Sequence, residues 1–248
     1  MLNIQASLTA KVYNLTKVAI DPMKQFNGAP LQRMVLKDRV AELIKEAIFS
    51  GKVEPGERIV EMKLASDLGV GTTAVREALF ELEGQGFVSR LTNKGTFVTQ
   101  LTAEDIEQII PVRRELEGLA VQLVQERASE EDLARLDDLA AGMKSAAAEG
   151  DLKSFYRCDL DFHRSLWALS GNRHLAKALD MAIVPLFAFV IMKFPGSSTD
   201  LSKIAGKHAE IVRAIRSNKN ARAYMDGVIE RFAEDAREIV KQPATKST

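Results

Sequence analysis

Two residues spaced four apart, Asp159 and His163, carry side chains that bind divalent cations. Positions i and i+4 of a helix lie on one face, one turn apart, so this carboxylate and imidazole can reach the same point. His208 follows on a later predicted helix and is the natural third ligand. Such a set suits a divalent metal of the zinc, nickel or manganese type. The same side chains could instead bind an organic anion directly, or hydrogen-bond within a helical core.

A second group of residues has the chemistry of DNA recognition. Glu61–Leu68 is predicted as a short helix that stops at a glycine, and a second helix is predicted from 72 to about 83. Two helices of this size around a glycine turn predict a helix-turn-helix. The outer face of the second helix carries Thr72, Thr73 and Arg76 near its beginning, where side chains can meet base edges in the major groove.

A predicted β-ribbon follows the second helix. Segments 87–90 and 96–99 alternate as paired strands do, and residues 93–95 (Asn-Lys-Gly) between them have turn chemistry. A ribbon in this place is a wing. Its tip residues, Lys94 and Gly95, are expected to approach a flanking phosphate or the minor groove.

The composition is that of an ordinary globular protein and excludes few function classes. The 248 residues contain 34 basic and 34 acidic side chains, so the net charge points to no partner. One cysteine, Cys158, excludes an internal disulfide and fits a reducing cytoplasm. The first twenty residues do not predict a signal peptide. The longest apolar run, from Met181 to Met192 with Pro185 inside it, is too short to span a bilayer, so no membrane partner is expected.

The order of signals along the chain predicts a mainly α protein of two domains. Residues 1–34 are expected to be a flexible arm, and 35–100 a winged helix-turn-helix of three helices plus the ribbon. A capping box at Thr102 opens a linker helix over 101–111, where Pro111 should break the helix or begin the next one. Residues 112–241 predict an all-α bundle of six or seven helices, followed by a tail at 242–248. The apolar segment 183–191 is expected at the bundle centre or in a subunit interface.

Short motifs in both parts of the chain, taken in this order and spacing, resemble GntR-type bacterial transcription regulators of the FadR/VanR class. The resemblance covers about 36 to 240. The motifs are Pro55-Gly56-Glu57-Arg58, Leu64-Ala65, Leu68-Gly69-Val70, Val75-Arg76-Glu77-Ala78-Leu79, Gly86-Phe87-Val88 and Gly95-Thr96-Phe97-Val98 in the first part, and Val112-Arg113, Leu116-Glu117, Asp159-x-x-Phe162-His163, Ser170-Gly171-Asn172 and His208 with Val212 in the second.

The resemblance implies further site residues in the second domain. Arg113 is expected to point into a cavity and clamp a carboxylate effector, and Asn172 to cap its helix and shape the pocket wall. Members of the family usually have another histidine on the last helix, and this position falls on Val228. Because valine cannot bind a metal, the site is expected to be weaker, with three protein ligands, or to have lost its metal.

The first domain also departs from the family. The turn reads Gly-Thr-Thr-Ala at 71–74 instead of Ser-Arg-Thr-Pro, and Met62 stands where an arginine is common. Two cationic DNA contacts are therefore missing. A different operator or a weaker complex is expected.

Together these features predict a cytoplasmic homodimer that binds a double-stranded DNA operator and acts as a repressor. A small carboxylate effector, a sugar acid, dicarboxylate or aromatic acid, would shift the two winged helices about segment 101–111 and release the DNA. The alternatives are a metal-dependent hydrolase fused to a DNA-binding module, and an architectural DNA binder without an effector. The hydrolase is disfavoured because the sequence has no Glu-x-x-His pair, nucleophile elbow or phosphate loop.

Overall fold

A computed structural model describes residues 30–193, 198–217 and 220–241. The chain is mainly α, as predicted. The described ranges contain nine helices and three short strands: α1 (Pro30–Phe49), β1 (Arg58–Ile59), α2 (Glu61–Leu68), α3 (Thr72–Gly84), β2 (Val88–Leu91), β3 (Gly95–Val98), α4 (Ala103–Arg127), α5 (Glu130–Glu149), α6 (Leu152–Leu169), α7 (Arg173–Met192), α8 (Ser198–Arg216) and α9 (Ala221–Lys241).

The predicted arm and tail are only partly open to comparison. Residues 1–29 and 242–248 lie outside the described residues. The prediction that the arm extends to residue 34 is wrong, because α1 already begins at Pro30. Proline is well tolerated in the first turn of a helix, where its missing N–H would have no intrahelical partner.

The head, residues 30–100, is a winged helix-turn-helix with three helices. The turn between α2 and α3 passes through Gly69, whose φ of 63° lies in the left-handed region that favours glycine. The sheet has one strand more than predicted: β1 pairs antiparallel with β3, and β3 with β2, in the order β1-β3-β2. A strand of two residues is too short to show alternation. The head core includes Val75, Leu79, Leu82, Phe87 and Val98, all nearly inaccessible.

The connection between head and body differs from the prediction. Thr102 and Asp105 form the expected capping box. However, Pro111 neither breaks the helix nor begins a new one, because α4 runs without interruption from Ala103 to Arg127. Interior proline costs a helix about 3 kcal/mol. Burial of Ile106 and Ile110 before the proline holds that half of α4 in the core and offsets this cost. A separate linker helix over 101–111 is therefore wrong.

The body consists of α4 to α9, so the lower of the two predicted helix numbers is observed in the described residues. Helix α7 is the most apolar of these helices, and side chains on several of its faces, from Ile183 to Ile191, are buried. Of the helices described, only α7 is long and apolar enough to cross a membrane by length and composition. Half of that stretch is buried within the protein, which is typical of the central helix of a bundle.

The head rests on the body through the end of α3 and one side of α6. The hydroxyl of Tyr156 donates to the carbonyl of Gln85 at 2.6 Å, and Arg164 Nη2 donates to the carbonyl of Gly84 at 2.5 Å. The ring of Phe87 packs edge-on against Tyr156, with centroids 4.9 Å apart. Helix α6 thus holds the carbonyls at the carboxyl end of the helix that is predicted to enter DNA.

Candidate functional site

Helices α6 and α8 bring together the three predicted metal ligands. Asp151 caps α6 by accepting from the amides of Lys153 and Ser154, which fixes the start of the helix. Two turns further on, Asp159 and His163 share one face. His208 Nε2 lies 2.8 Å from Asp159 Oδ1 and 3.2 Å from His163 Nε2, and the latter is 3.8 Å from the same carboxylate oxygen.

The remaining ring nitrogens decide which atoms are free to bind a cation. His208 Nδ1 donates to the carbonyl of Ile204 at 2.9 Å. His163 Nδ1 lies 3.0 Å from Glu117 Oε1, at hydrogen-bond distance although poorly aligned. With the protons on both Nδ1 atoms, the two Nε2 lone pairs face each other and the carboxylate of Asp159. In this tautomer the three acceptors converge on a point where a cation can bind, whereas a proton on His208 Nε2 makes that nitrogen a donor to Asp159 Oδ1.

The spacing of the three acceptors fits a divalent metal. Bonds of about 2.0–2.2 Å to nitrogen and oxygen place neighbouring ligand atoms about 3 Å apart. Burial alone would raise the pKa of Asp159, but the hydrogen bond and charge of His208 lower it, with smaller effects from His163 and Arg113. The carboxylate is therefore ionised at neutral pH, as a metal ligand must be.

Glu117, on α4, connects the histidines to the predicted effector clamp. This fully buried carboxylate accepts from Arg113 Nε at 2.7 Å and from Trp167 Nε1 at 3.1 Å, besides its contact with His163. Burial would raise the pKa of Glu117, but the charges of Arg113 and His163 outweigh it and lower the pKa to about 2. Hydrogen bonding of this kind orients a histidine ligand and increases its basicity.

Arg113 has the environment of an anion-binding group. Its residue surface is 2% exposed, and the guanidinium lies 4.6 Å from the ring centroid of Phe187 and 4.4 Å from that of Phe232. Two aromatic faces hold the guanidinium plane in place. One of its nitrogens, Nη1, is buried and has no hydrogen-bond partner among the described residues. A buried unpaired donor is costly, so Nη1 is suited to an acceptor supplied by a ligand.

A cavity of about 500 Å³ adjoins Arg113 and the three candidate ligands, while Glu117 lies behind them and does not line it. Arg113 and the three candidate ligands line its buried end, and Val228 of α9 lines it as well. Val228, which stands where the family usually has a fourth ligand, therefore lies at the candidate site, which is consistent with the prediction. No other described residue forms a comparable cluster of histidine, cysteine and carboxylate groups.

The prediction for Asn172 needs correction. Its Oδ1 accepts from the amides of His174 and Leu175, which makes it the N-cap of α7, as expected. However, Asn172 does not line the cavity, so a role in effector binding is not carried further. Its amide oxygen is already used by the backbone of its own helix.

The predicted DNA-binding residues all reach the surface of the head. Thr73 and Arg76 are exposed on α3 and Thr72 is half-buried, while Lys94 and Gly95 form the exposed tip of the wing. Arg76 Nε donates to Glu61 Oε2 at 2.6 Å, yet 65% of the arginine side chain is exposed. An exposed ion pair of this kind contributes little to stability and is easily exchanged for a phosphate.

Two features of this surface concern residues outside the predicted set. Met62 is 76% exposed on α2, so the position where the family often has arginine does face solvent. Arg58, on β1, lies beside the wing tip: its Nε is 3.2 Å from where a Cβ on Gly95 would stand. The sequence analysis gave Arg58 no role because β1 was not predicted, although the residue belongs to one of the quoted motifs.

Comparison with known proteins gives both halves of the chain a family. Residues 36–98 match the model of the bacterial regulatory proteins of the gntR family, and residues 108–225 match that of the FCD domain. The HTH-type transcriptional regulator YdhC of Bacillus subtilis is 32% identical over 197 residues, covering 79% of this chain and 87% of its own. This chain is a GntR-family transcriptional regulator with an FCD domain. The regulator has the FadR/VanR-type architecture that its motifs indicated.

Further relatives agree with this assignment. A probable D-xylose utilization operon transcriptional repressor of Paenarthrobacter nicotinovorans is 30% identical over 75% of the regulator and 81% of its own chain. The solved structure of McbR/YncC from E. coli has the same fold, with a TM-score of 0.62 at 22% identity over 82% of the regulator and 97% of that chain. These relatives are transcriptional regulators and not enzymes, so the hydrolase alternative is not supported.

Proposed function

We propose that this protein is a cytoplasmic homodimeric repressor that releases its operator when a small carboxylate binds in the body. The proposal depends on the convergence of Asp159, His163 and His208 beside the unpaired nitrogen of Arg113. Two of these residues, Asp159 and His163, lie on α6, the helix that also contacts the head. Repression, as opposed to activation, is supported by the relative named as a repressor.

The DNA half of the proposal uses the exposed side of the head. The beginning of α3 enters the major groove with Thr72, Thr73 and Arg76, and the wing places Lys94 and Gly95 at the adjacent backbone. Arg58 adds a cation near the wing tip. The Gly-Thr-Thr-Ala turn and Met62 supply no positive charge. The remaining arginines therefore carry a larger share of the phosphate affinity.

We expect Arg76→Ala to weaken binding to the correct operator by about 1–3 kcal/mol, the usual worth of an arginine contact to guanine. Fluorescence anisotropy at fixed salt with a labelled operator measures the change. Lys144→Ala, which removes an exposed cation from α5 in the body, is the control and should leave affinity unchanged. Equal affinity of Arg76→Ala and the unsubstituted protein would exclude Arg76 from the interface.

Homodimerisation is supported by an apolar stripe on the outer side of α4. Val112 and Leu119 are 47% and 40% exposed, and Leu116 and Leu123 are half-buried between and beyond them. Spacings of four, three and four residues put these side chains on one helix face. A second copy that buries this face would give the two heads the two-fold symmetry of an operator with two half-sites.

The sensing half of the proposal places a divalent metal of the zinc, nickel or manganese type on Asp159, His163 and His208. When bound, such an ion acts as a Lewis acid that accepts a carboxylate oxygen of the effector. Glu117 holds the ring of His163 in place, and Arg113 offers Nη1 to the second carboxylate oxygen. Val228 offers no ligand atom, so the effector or water would complete the set of ligands around a bound ion.

Coupling to DNA runs through α6 instead of a hinge at 101–111, since α4 is continuous there. Tyr156 is one turn before Asp159 on α6, and Arg164 directly follows His163. A movement of the ligand-bearing side chains therefore reaches the carbonyls of Gly84 and Gln85 at the end of α3. Effector and operator then weaken each other by the same factor.

We expect zinc to stabilise the protein, and His208→Ala to abolish this effect. At a hundredfold excess over Kd, a ligand that binds only the folded state adds about 2.7 kcal/mol to the free energy of unfolding. The measurement is chemical unfolding of chelator-treated protein with and without added Zn²⁺.

The matched control for this experiment is His174→Ala, because His174 is exposed at the start of α7, away from the cavity. This variant should respond to Zn²⁺ as the unsubstituted protein does. Stabilisation that survives in His208→Ala would show that zinc binds elsewhere and would contradict the metal site.

A further inference from the structure

We propose that the effector is a monocarboxylic acid with an apolar body, an aryl or branched-chain acid, and not a sugar acid or a dicarboxylate. This inference rests on the proposed function, because it concerns the ligand of the same cavity. The inference depends on the side chains of the cavity walls. They favour some acids over others, although the buried carboxylate site alone would bind all of these acids equally.

The charges around the cavity provide for one carboxylate only. Among the described lining residues, Arg113 is the one arginine or lysine that is buried. Lys203 and Lys207 stand toward the opening, where they are exposed and half-buried. Three acids, Asp200, Asp235 and Glu238, line the same region and outnumber the two lysines. A second carboxylate would therefore meet no buried counter-charge inside and a negative balance at the opening.

The walls between these two regions are apolar. Their side chains are aromatic or branched aliphatic and come from four helices: Phe155, Phe187, Val190, Ile191, Ile204, Ile211, Val228, Phe232 and Ile239. None of them can donate or accept a hydrogen bond. A sugar acid would leave its hydroxyl groups unpaired against these walls, whereas each buried methylene of an apolar acid gains about fourfold in affinity.

Val228 strengthens this discrimination at the buried end. It lies on α9 one turn from Phe232, which contacts the guanidinium of Arg113. An apolar surface therefore begins directly beside the groups that hold the carboxylate. A volume of about 500 Å³ lies within the range of sites for small organic ligands and accommodates a phenyl or branched alkyl body.

The test is isothermal titration of the full chain, saturated with Zn²⁺, with three acids. 3-Phenylpropionate represents the apolar monocarboxylates, succinate the dicarboxylates and gluconate the sugar acids. We expect 3-phenylpropionate to bind at least tenfold more tightly than either of the other two. Val228→Thr preserves the shape of the side chain and adds a hydroxyl beside the carboxylate site. It should narrow the ratio of 3-phenylpropionate to gluconate affinity at least threefold, while Val60→Thr, at an exposed position in the head outside the cavity, should not change this ratio.

The outcomes separate this inference from the proposed function. Tighter binding of succinate or gluconate, or affinities within threefold of one another, overturns the apolar class and leaves a carboxylate-sensing regulator intact. Failure of all three acids to bind overturns the inference together with the sensing half of the proposed function. A preference for 3-phenylpropionate that Val228→Thr and Val60→Thr leave equally unchanged overturns the role of the cavity wall.

Discussion

Arg113→Met is expected to lower the free energy of unfolding by about 3–5 kcal/mol and to abolish the response to carboxylates. Removing one partner of a buried ion pair leaves the other charge uncompensated, and that penalty is of this size. Glu117, whose side chain has no exposed surface, would lose the cation 2.7 Å from its Oε2. Methionine keeps the length and much of the volume between Phe187 and Phe232. Denaturant unfolding and effector titration measure the two effects.

The control is the double variant Arg113→Met/Glu117→Gln. Without the carboxylate there is no unpaired buried charge, so the double variant should lose less stability than the sum of the two single variants. If the double variant instead lost as much free energy of unfolding as the two single variants together, the coupling between Arg113 and Glu117 would be contradicted.

The free energy of unfolding should also depend on pH, with a definite sign. Because the folded-state pKa of Glu117 (about 2) is below its ordinary value of 4.5, this group stabilises the fold above pH 4.5, and the contribution is lost as the pH falls toward 2.

Gly86→Ala is expected to be the most damaging small change where head and body meet. Gly86 has a φ of 76°, a left-handed conformation that costs other residues about 1–2 kcal/mol. A Cβ there would also stand 2.7 Å from the carbonyl oxygen of Val184 in α7, which is backbone and cannot turn away. Overpacking of this kind adds about 1–3 kcal/mol. The free energy of unfolding, measured with denaturant, should fall by the sum.

Gly69→Ala is the matched control for this second prediction. Gly69 also has a positive φ, 63°, but no atom lies within 4 Å of where its Cβ would be. This variant should lose only the conformational part, about 1–2 kcal/mol. If both variants lost the same free energy of unfolding, the close approach of α7 to Gly86 would add nothing to the cost of the Gly86→Ala change.

Local signals in the sequence were sufficient for most of the fold. The capping boxes at Thr102 and Ser129 and the glycine after α2 mark element ends through interactions that lie within a few residues. Where tertiary packing decides, the sequence was insufficient. Pro111 is a local breaker overridden by burial along α4, and β1 exists only because β3 lies beside it.

In the candidate site, too, residues related by local spacing could be predicted, whereas spacing alone did not reveal those brought together by tertiary packing. Asp159 and His163 were predictable from one helix face, and their partner His208 from its place on a later helix together with the resemblance to the family. Glu117 was assigned no role, because it is one glutamate among many until the fold places it among Arg113, Trp167 and His163. Its position four residues after Arg113 on α4 was the available signal, since this spacing suits an ion pair.

The placement of both functions on α6 has a consequence for how such a sensor diversifies. In the proposed mechanism, α6 alone transmits ligand binding to the head, whereas the walls of the cavity come mostly from α7, α8 and α9. In that mechanism, substitutions on those three helices would change which ligand binds without changing the contacts between α6 and the head. Ligand specificity would then change one wall residue at a time.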